Sequence, residues 1–420
     1  MTKKTSDFFV ERLKAWGVTR IYGYPGDGIN GVLGALQRAD KAGDGIEFIQ
    51  VRHEEMAAFM ACAHAKFTGE PGVCLSTGGP GATHLLTGLY DAQMDHMPVT
   101  LLMIGTGFPW TEFLPKEGQA RAVQIDIDAS MLGLRYPTEV NLHGDAVSTL
   151  QALLPLLKRK EDRSWQEKIA VSVKAWWEKM EERAMAKATP VNPQRVVWEM
   201  SPLLPDNAIV TSDSGSCANW FARDYRVKQG QRASLSGGLA CMGAAVPYAI
   251  AAKFAFPEKP VVALVGDGAM QMNNLAELIT IQKYWQRWSD PRLIVCVFNN
   301  QDLNQVTWEQ RIMEGNPRFA ATQDVPDVPY AQFAESIGLK GIYVDSPEEL
   351  QAAWQQALAA DRPVVLEVKT DPEVAPLPPH ISFAQAKGFM SSMAKGDKSA
   401  GKVIADTAHQ VMNTVLPGKK

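Results

Sequence analysis

Apolar and polar positions along this chain fall into short apolar runs separated by longer segments with helical spacing. Ser6–Trp16 sets Phe9, Val10, Leu13 and Trp16 on one helical stripe, with Phe8 beside it. Ile21–Gly23 is a short strand, Tyr24–Gly28 a tight loop and Ile29–Gln37 a helix. Ile46–Val51 is the next strand, Met56–Lys66 a helix rich in Ala and Met, and Gly72–Leu75 a third strand. Leu101–Gly105 and Ala122–Asp128 continue the apolar runs, and Ala146–Leu157 is a helix. Beyond a charged stretch the alternation restarts, with strands at Ala208–Val210, Val261–Val265, Leu293–Phe298, Gly341–Val344 and Pro363–Val368. Helices at Ala244–Phe254, Tyr330–Ser336 and Ser346–Ala359 lie between them. Short runs rich in β-branched residues and bounded by turn residues predict buried parallel strands. The repeated alternation predicts an α/β fold of parallel sheets flanked by helices.

The polar punctuation carries the candidate chemistry. Val261–Val265 ends in Gly266-Asp267-Gly268-Ala269, and Leu293–Phe298 ends in Asn299-Asn300-Gln301-Asp302. In an open α/β sheet, ligands sit beyond the carboxyl ends of strands. Gly266 and Gly268 let backbone approach a ligand and turn N–H groups toward phosphate oxygens. Asp267 offers a carboxylate, Asn300 an amide oxygen, and Asp302 a carboxylate or a backbone carbonyl. Few, hard oxygen ligands suit Mg²⁺ bridging a diphosphate. A Gly-Asp-Gly turn after a core strand is also common without any ligand. Gly215 and Ser216, after Ser214, either donate to a diphosphate or belong to a helix-capping Ser/Asp turn. Glu54 heads an Ala-rich helix, where a carboxylate can serve simply as a favourable helix start. Met242, among glycines, is on local grounds core filler. His53, His84 and His96 are not spaced as metal ligands.

Composition narrows the partners. The 420 residues carry 42 basic and 46 acidic side chains, a formal charge of −4, and no basic run. That argues against nucleic acid. Five scattered cysteines form no CxxC pair, which argues against a disulfide framework or a zinc site. No signal peptide or apolar run long enough to cross a bilayer is legible, so a cytoplasmic location is expected. Lys158–Lys187 reads as a surface linker helix in which Trp165, Trp176 and Trp177 are packing anchors. Asn192 caps a helix with Pro193 at its first position. Thr370–His380 is extended. Val403–Leu416 is amphipathic and either docks on its own protein or makes a weak peripheral membrane contact.

Gly-Asp-Gly, followed by Asn-Asn with 33 positions from Asp267 to Asn300, resembles the diphosphate–metal motif of thiamine diphosphate enzymes. The spacing is somewhat long, and Trp285–Pro291 looks like the extra length. Tyr22-Gly23-Tyr24-Pro25-Gly26, Arg52-His53-Glu54, Gly78-Gly79-Pro80-Gly81 and Asp91…Asp95…Pro98-Val99 resemble the pyrimidine-binding domain of pyruvate oxidase and acetolactate synthase, in the family's order. The resemblance implies thiamine diphosphate- and Mg²⁺-dependent decarboxylation of a 2-oxo acid, pyruvate above all, with transfer or oxidation of the two-carbon unit. It makes Glu54 the catalytic carboxyl against the aminopyrimidine ring. Pro25, Gly26, Thr77, Gly78, Ser214, Gly215, Ser216, Ala240, Met242, Gly266, Asp267, Gly268, Ala269 and Asn300 become cofactor contacts, with Met242 under the cofactor's bend. Asp267, Asn300 and Asp302 become the metal ligands. It also implies a homodimer or homotetramer with sites between subunits.

The implied domains are a pyrimidine-binding domain at 1–100 (incomplete), a central-domain remnant at 101–160, a helical linker at 161–190, a diphosphate/Mg-binding domain at 191–372 and a tail at 373–420. Most of the central domain, which holds the FAD site in flavin-using relatives, is missing, and that argues against FAD. Asp126 and Asp128 are either a ribose-binding remnant or plain solvated structure. The same gap raises a second reading, a relative that binds cofactor but is catalytically impaired or regulatory.

Overall fold

The computed structural model describes residues 5–25, 29–70, 72–76, 102–104, 122–134, 136–157, 161–237, 239–376 and 383–397. The chain divides into two compact units, one of 1–88, 178–235 and 241–420, the other of 89–177 with 236–240.

The first unit begins with α1 (Thr5–Ala15), β1 (Arg20–Gly23), α2 (Asn30–Lys41), β2 (Glu47–Gln50), α3 (Glu54–Thr68) and β3 (Cys74–Leu75). The three strands form a parallel sheet in the order β2-β1-β3. Of the stripe expected on α1, Val10 and Leu13 are buried, whereas Phe9 and Trp16 stay 44% and 66% exposed. The helix therefore docks through a narrower face than its composition suggests. Gly23 cannot carry a side chain, because a Cβ there would come within 2.6 Å of the Leu75 carbonyl.

The second unit holds β4 (Leu102–Ile104), β5 (Val123–Asp126) and β6 (Val140–His143), parallel in the order β4-β5-β6. The strand at 102–104 thus pairs with β5, and the Pro98-Val99 run expected to lead into it lies outside the described residues. After β6 comes α4 (Ala146–Leu153), which starts under the carboxylate of Asp145, an acceptor for the Ser148 N–H at 2.9 Å. Asp126 and Asp128 serve local turns: Asp126 accepts the Asp128 N–H, and Asp128 caps Ser130, both at 2.9 Å. The charged stretch forms α5 (Ser164–Ala184).

The larger part of the first unit follows. It contains α6 (Pro193–Leu203), β7 (Ile209–Ser212), α7 (Ser216–Asp224), β8 (Arg232–Leu235), α8 (Ala245–Ala255) and β9 (Val261–Gly266). Then come α9 (Leu275–Tyr284), β10 (Leu293–Asn299), α10 (Asn304–Glu309), α11 (Tyr330–Ser336), β11 (Lys340–Val344), α12 (Leu350–Leu358), β12 (Val364–Lys369) and α13 (Phe383–Ala394). Asn192 caps α6 as expected, accepting the Gln194 N–H at 3.0 Å with Pro193 in the first turn. The six strands run parallel in the order β11-β12-β10-β9-β7-β8. Both faces of the sheet are covered, so every residue of β10 is buried, as a strand without alternation requires. The β8-β7-β9 half repeats the β2-β1-β3 order of the first sheet. The two sheets meet through α3, whose Phe59 packs edge-on to Tyr248 of α8 with centroids 6.3 Å apart. Lys66 closes that contact on the Tyr248 hydroxyl at 2.8 Å. Among the described residues no helix is long and apolar enough to cross a membrane. The amphipathic stretch 403–416 lies outside them.

Candidate active site

Register brings the two polar clusters together. Gly266 at the end of β9 stands opposite Phe298 of β10, so Asp267 and the Asn299-Asn300 pair leave the sheet side by side. Asp267, 2% exposed, collects three main-chain N–H groups. Its Oδ1 accepts from Gly268 at 2.8 Å, and its Oδ2 accepts from Asn300 at 2.9 Å and Gln301 at 2.5 Å. Gln301 is held in the left-handed region at φ +57°, strain that such a web of bonds must hold in place. Burial pushes the Asp267 carboxyl up to about 7, the N–H bonds work against that shift, and the nearby charge of Asp302 adds to it. A carboxylate so placed is poised for a cation.

Asn300 Oδ1 accepts the Asp302 N–H at 3.0 Å and so points back along its own loop. The Asp302 carboxylate is already engaged. Its Oδ1 accepts from Thr307 Oγ1 and from Arg318 Nε, both at 2.9 Å, and its Oδ2 from Asn304 Nδ2 at 3.3 Å. Of the two roles open to Asp302, the backbone carbonyl is the freer donor to a metal; it accepts one N–H, from Asn304 at 2.7 Å, and keeps a second lone pair.

A second wall comes from β7, the neighbour of β9. Asp213, fully buried, accepts N–H groups from Ser214 (2.9 Å), Gly243 (2.8 Å) and Ala245 (3.1 Å). One carboxyl thereby binds the Ser214–Ser216 loop to the Gly243 turn, and burial pushes it up to about 6. Gly215, at φ +94°, opens the way into α7, whose first residue is Ser216. Met242 lies beside the Gly-Asp-Gly turn: a Cβ on Gly268 would fall 3.6 Å from its Cε and 2.7 Å from Leu303 Cδ2. Ala269 is buried, whereas a Cβ on Gly266 would meet nothing within 4 Å. Ala240, in the other unit, takes φ +55° and donates its N–H to Ser236 at 2.9 Å.

Glu54 is the first residue of α3, partly buried, after an extended His53. Its neighbour Glu55 accepts from Asn273 Nδ2 at 2.8 Å, and the Asn273 Oδ1 stands where a Cβ on Gly243 would have to go. The start of α3 therefore reaches the Asn273–Gly243 wall within one chain. Pro25 is exposed; Gly26, Thr77 and Gly78 lie outside the described residues.

These residues fit the expected groups. Among the described residues no three or more His, Cys, Asp or Glu side chains cluster as a metal site. The donors here are one carboxylate, one amide and one carbonyl, so a cation would need further oxygens from a diphosphate and water, the habit of Mg²⁺. Ser214 Oγ, Asn273 Oδ1 and Asn274 Oδ1 are buried without partners, and the space over Gly266 is open. Orphaned buried polar atoms of this kind call for a ligand or water. Sequence reasoning missed Asp213 and Arg318 as organisers. Asp213 sat inside a loop already singled out, but nothing in the chain marks Arg318 as the partner of Asp302.

Two family models match the chain, the thiamine pyrophosphate enzyme N-terminal binding domain over residues 3–128 and the C-terminal binding domain over 213–368. A Bacillus subtilis relative named as a thiamine pyrophosphate-containing protein, YdaP, is 27% identical over 565 residues, covering 94% of this chain and 96% of the relative. The pyruvate oxidase of Lactiplantibacillus plantarum is 23% identical over 85% of this chain and 87% of its own length. The acetolactate synthase isozyme 3 large subunit of Escherichia coli is 30% identical over 68% of this chain and 50% of its own length.

Proposed function

Since the chain belongs to the thiamine pyrophosphate enzyme family, we propose that it binds thiamine diphosphate and Mg²⁺ and decarboxylates a 2-oxo acid. The proposed substrate is pyruvate, with the two-carbon unit then passed to an acceptor or oxidised, as the names of the acetolactate synthase and pyruvate oxidase relatives suggest. The observation that carries this reading is the Asp267 carboxylate. It is buried, holds the N–H groups of Gly268, Asn300 and Gln301, and sits where β9 and β10 end together.

In this reading Asp267, the Asn300 amide oxygen and the Asp302 carbonyl would hold Mg²⁺, with further oxygens coming from the diphosphate. Gly266, Gly268 and Ala269 line the tail, and the Ser214–Ser216 loop donates to it. Met242 would shape the ring side, filling the space next to Gly268. Thiamine diphosphate, when bound, would supply a nucleophilic carbon and a sink for the electron pair left behind as CO₂ departs. Glu54 holds a proton at the cofactor's ring nitrogen, which a carboxyl does best when partly withdrawn from water. The buried walls exclude water from the reacting carbon. Glu54 and the metal side would be brought together between the subunits of a homodimer or homotetramer, the assembly that the family resemblance implies.

Product analysis with labelled pyruvate tests this. Release of CO₂ that needs both cofactor and Mg²⁺ supports an enzyme. Tight cofactor binding without release favours the second reading, a relative that binds but does not turn over. Its motive is the alignment with YdaP, whose 565 positions exceed the 420 residues of this chain, so that YdaP carries a stretch with no counterpart here. FAD forms no part of the proposal.

A further inference from the structure

β2 is an outer strand of its sheet. Its N–H groups alternate in direction, as in any strand. Glu47 and Val51 donate inward, to the Thr19 and Gly23 carbonyls at 3.0 Å each. Gln50 and Arg52 therefore donate outward, where an edge strand usually meets water or another strand. Here two side chains of α9 take those bonds. Tyr284 Oη accepts from Gln50 at 3.1 Å, and Glu277 Oε1 accepts from Arg52 at 2.8 Å. Glu277 is completely buried, a position a carboxylate holds only at considerable desolvation cost. Two residues after Arg52, α3 begins with Glu54.

We propose that Glu277 is a positioning residue for Glu54: by holding the Arg52 N–H it fixes where β2 turns into α3, and so where the Glu54 carboxyl stands against the cofactor ring. The inference rests on the role given to Glu54 above. Leucine at 277 would leave the Arg52 N–H without this acceptor and free the strand end to move. Glutamine keeps a carbonyl oxygen at the same reach, while aspartate keeps the charge but withdraws the acceptor by one methylene.

The test uses the full chain, thiamine diphosphate, Mg²⁺ and pyruvate, with Glu277→Leu, Glu277→Asp, Glu277→Gln and Glu54→Gln. Four quantities are read: amide hydrogen exchange of residues 51–54 without cofactor, cofactor affinity, the near-ultraviolet circular dichroism of the bound cofactor's ring tautomer, and kcat and KM. The leucine and aspartate variants are expected to exchange faster at 51–54, to lose the imino-tautomer band and to lower kcat about 10- to 100-fold, as a small misplacement does. Their cofactor affinity should stay within about threefold, which is about 0.7 kcal/mol, and glutamine should restore all four readings. If leucine does not fold, the aspartate variant decides. Parental band and kcat in the leucine or aspartate variant, or a folded glutamine variant that behaves like them, overturn the positioning role. Should Glu54→Gln itself keep the band and kcat, the reading of Glu54 falls and this inference with it.

Discussion

Asp267 must stay ionised in a place that disfavours charge. Burial pushes its carboxyl up to about 7, so without a cation it carries a proton through the acidic range. A metal must displace that proton. The affinity for Mg²⁺ with thiamine diphosphate should therefore rise with pH up to about 7 and then level off, and titration calorimetry across pH checks this. Asp267→Asn should abolish that pH dependence and weaken binding at least about 100-fold, roughly 2.7 kcal/mol. Gln301 offers a separate test. It takes φ +57°, so Gln301→Val should cost about 1–2 kcal/mol or more in denaturant unfolding. That Asp267 and Asn300 lie at strand ends was legible residue by residue, because Gly-Asp-Gly and Asn-Asn each follow an apolar run. The commitment of the Asp302 carboxylate to Arg318 was not, since that pair depends on how the chain folds back after α10.

At the scale of elements, parallel strands wrote themselves into the chain as unbroken apolar runs, and β9, β10 and β12 lie where those runs predict. Edge strand β8 (Arg232–Leu235) carries no such run, and α13 has a glycine and two serines within its span, so neither was foreseen. α13 nonetheless touches the candidate site through a buried ionic chain. Arg311, fully buried, binds Asp397 just beyond α13 at 2.9 Å and Glu373 at 2.8 Å. Asp397 also accepts the Arg318 N–H at 3.0 Å, and Arg318 holds Asp302. Gly388 lets α13 press on the backbone at Ile312, where any Cβ would strike the carbonyl. Gly388→Ala should cost about 1–3 kcal/mol of stability, as overpacking does. It should also loosen cofactor retention, read by dialysis and thiamine assay. Unchanged retention in a destabilised variant would separate α13 from the Asp302 loop.

Of the three sheets, the two in the first unit share a strand order in β2-β1-β3 and β8-β7-β9 and meet through α3 and α8. The family resemblance implied two domains of one type, but the shared strand order was not read from the sequence, because apolar patterning cannot specify which strands lie side by side. Self-association into a homodimer or homotetramer remains a property to measure by sedimentation, with a concentration-dependent shift above the 46.0 kDa of one chain as the expected result. The central claim is that Glu54 and the Asp267–Asn300 loop serve one cofactor. It is tested most directly by ¹⁴CO₂ release from carboxyl-labelled pyruvate, comparing the parent chain with Glu54→Gln at saturating thiamine diphosphate and Mg²⁺. The account predicts release that requires both additions and falls about 100- to 10,000-fold in the variant while cofactor binding persists. Release at the parental rate in Glu54→Gln, or a parent chain that binds no thiamine diphosphate, would contradict it.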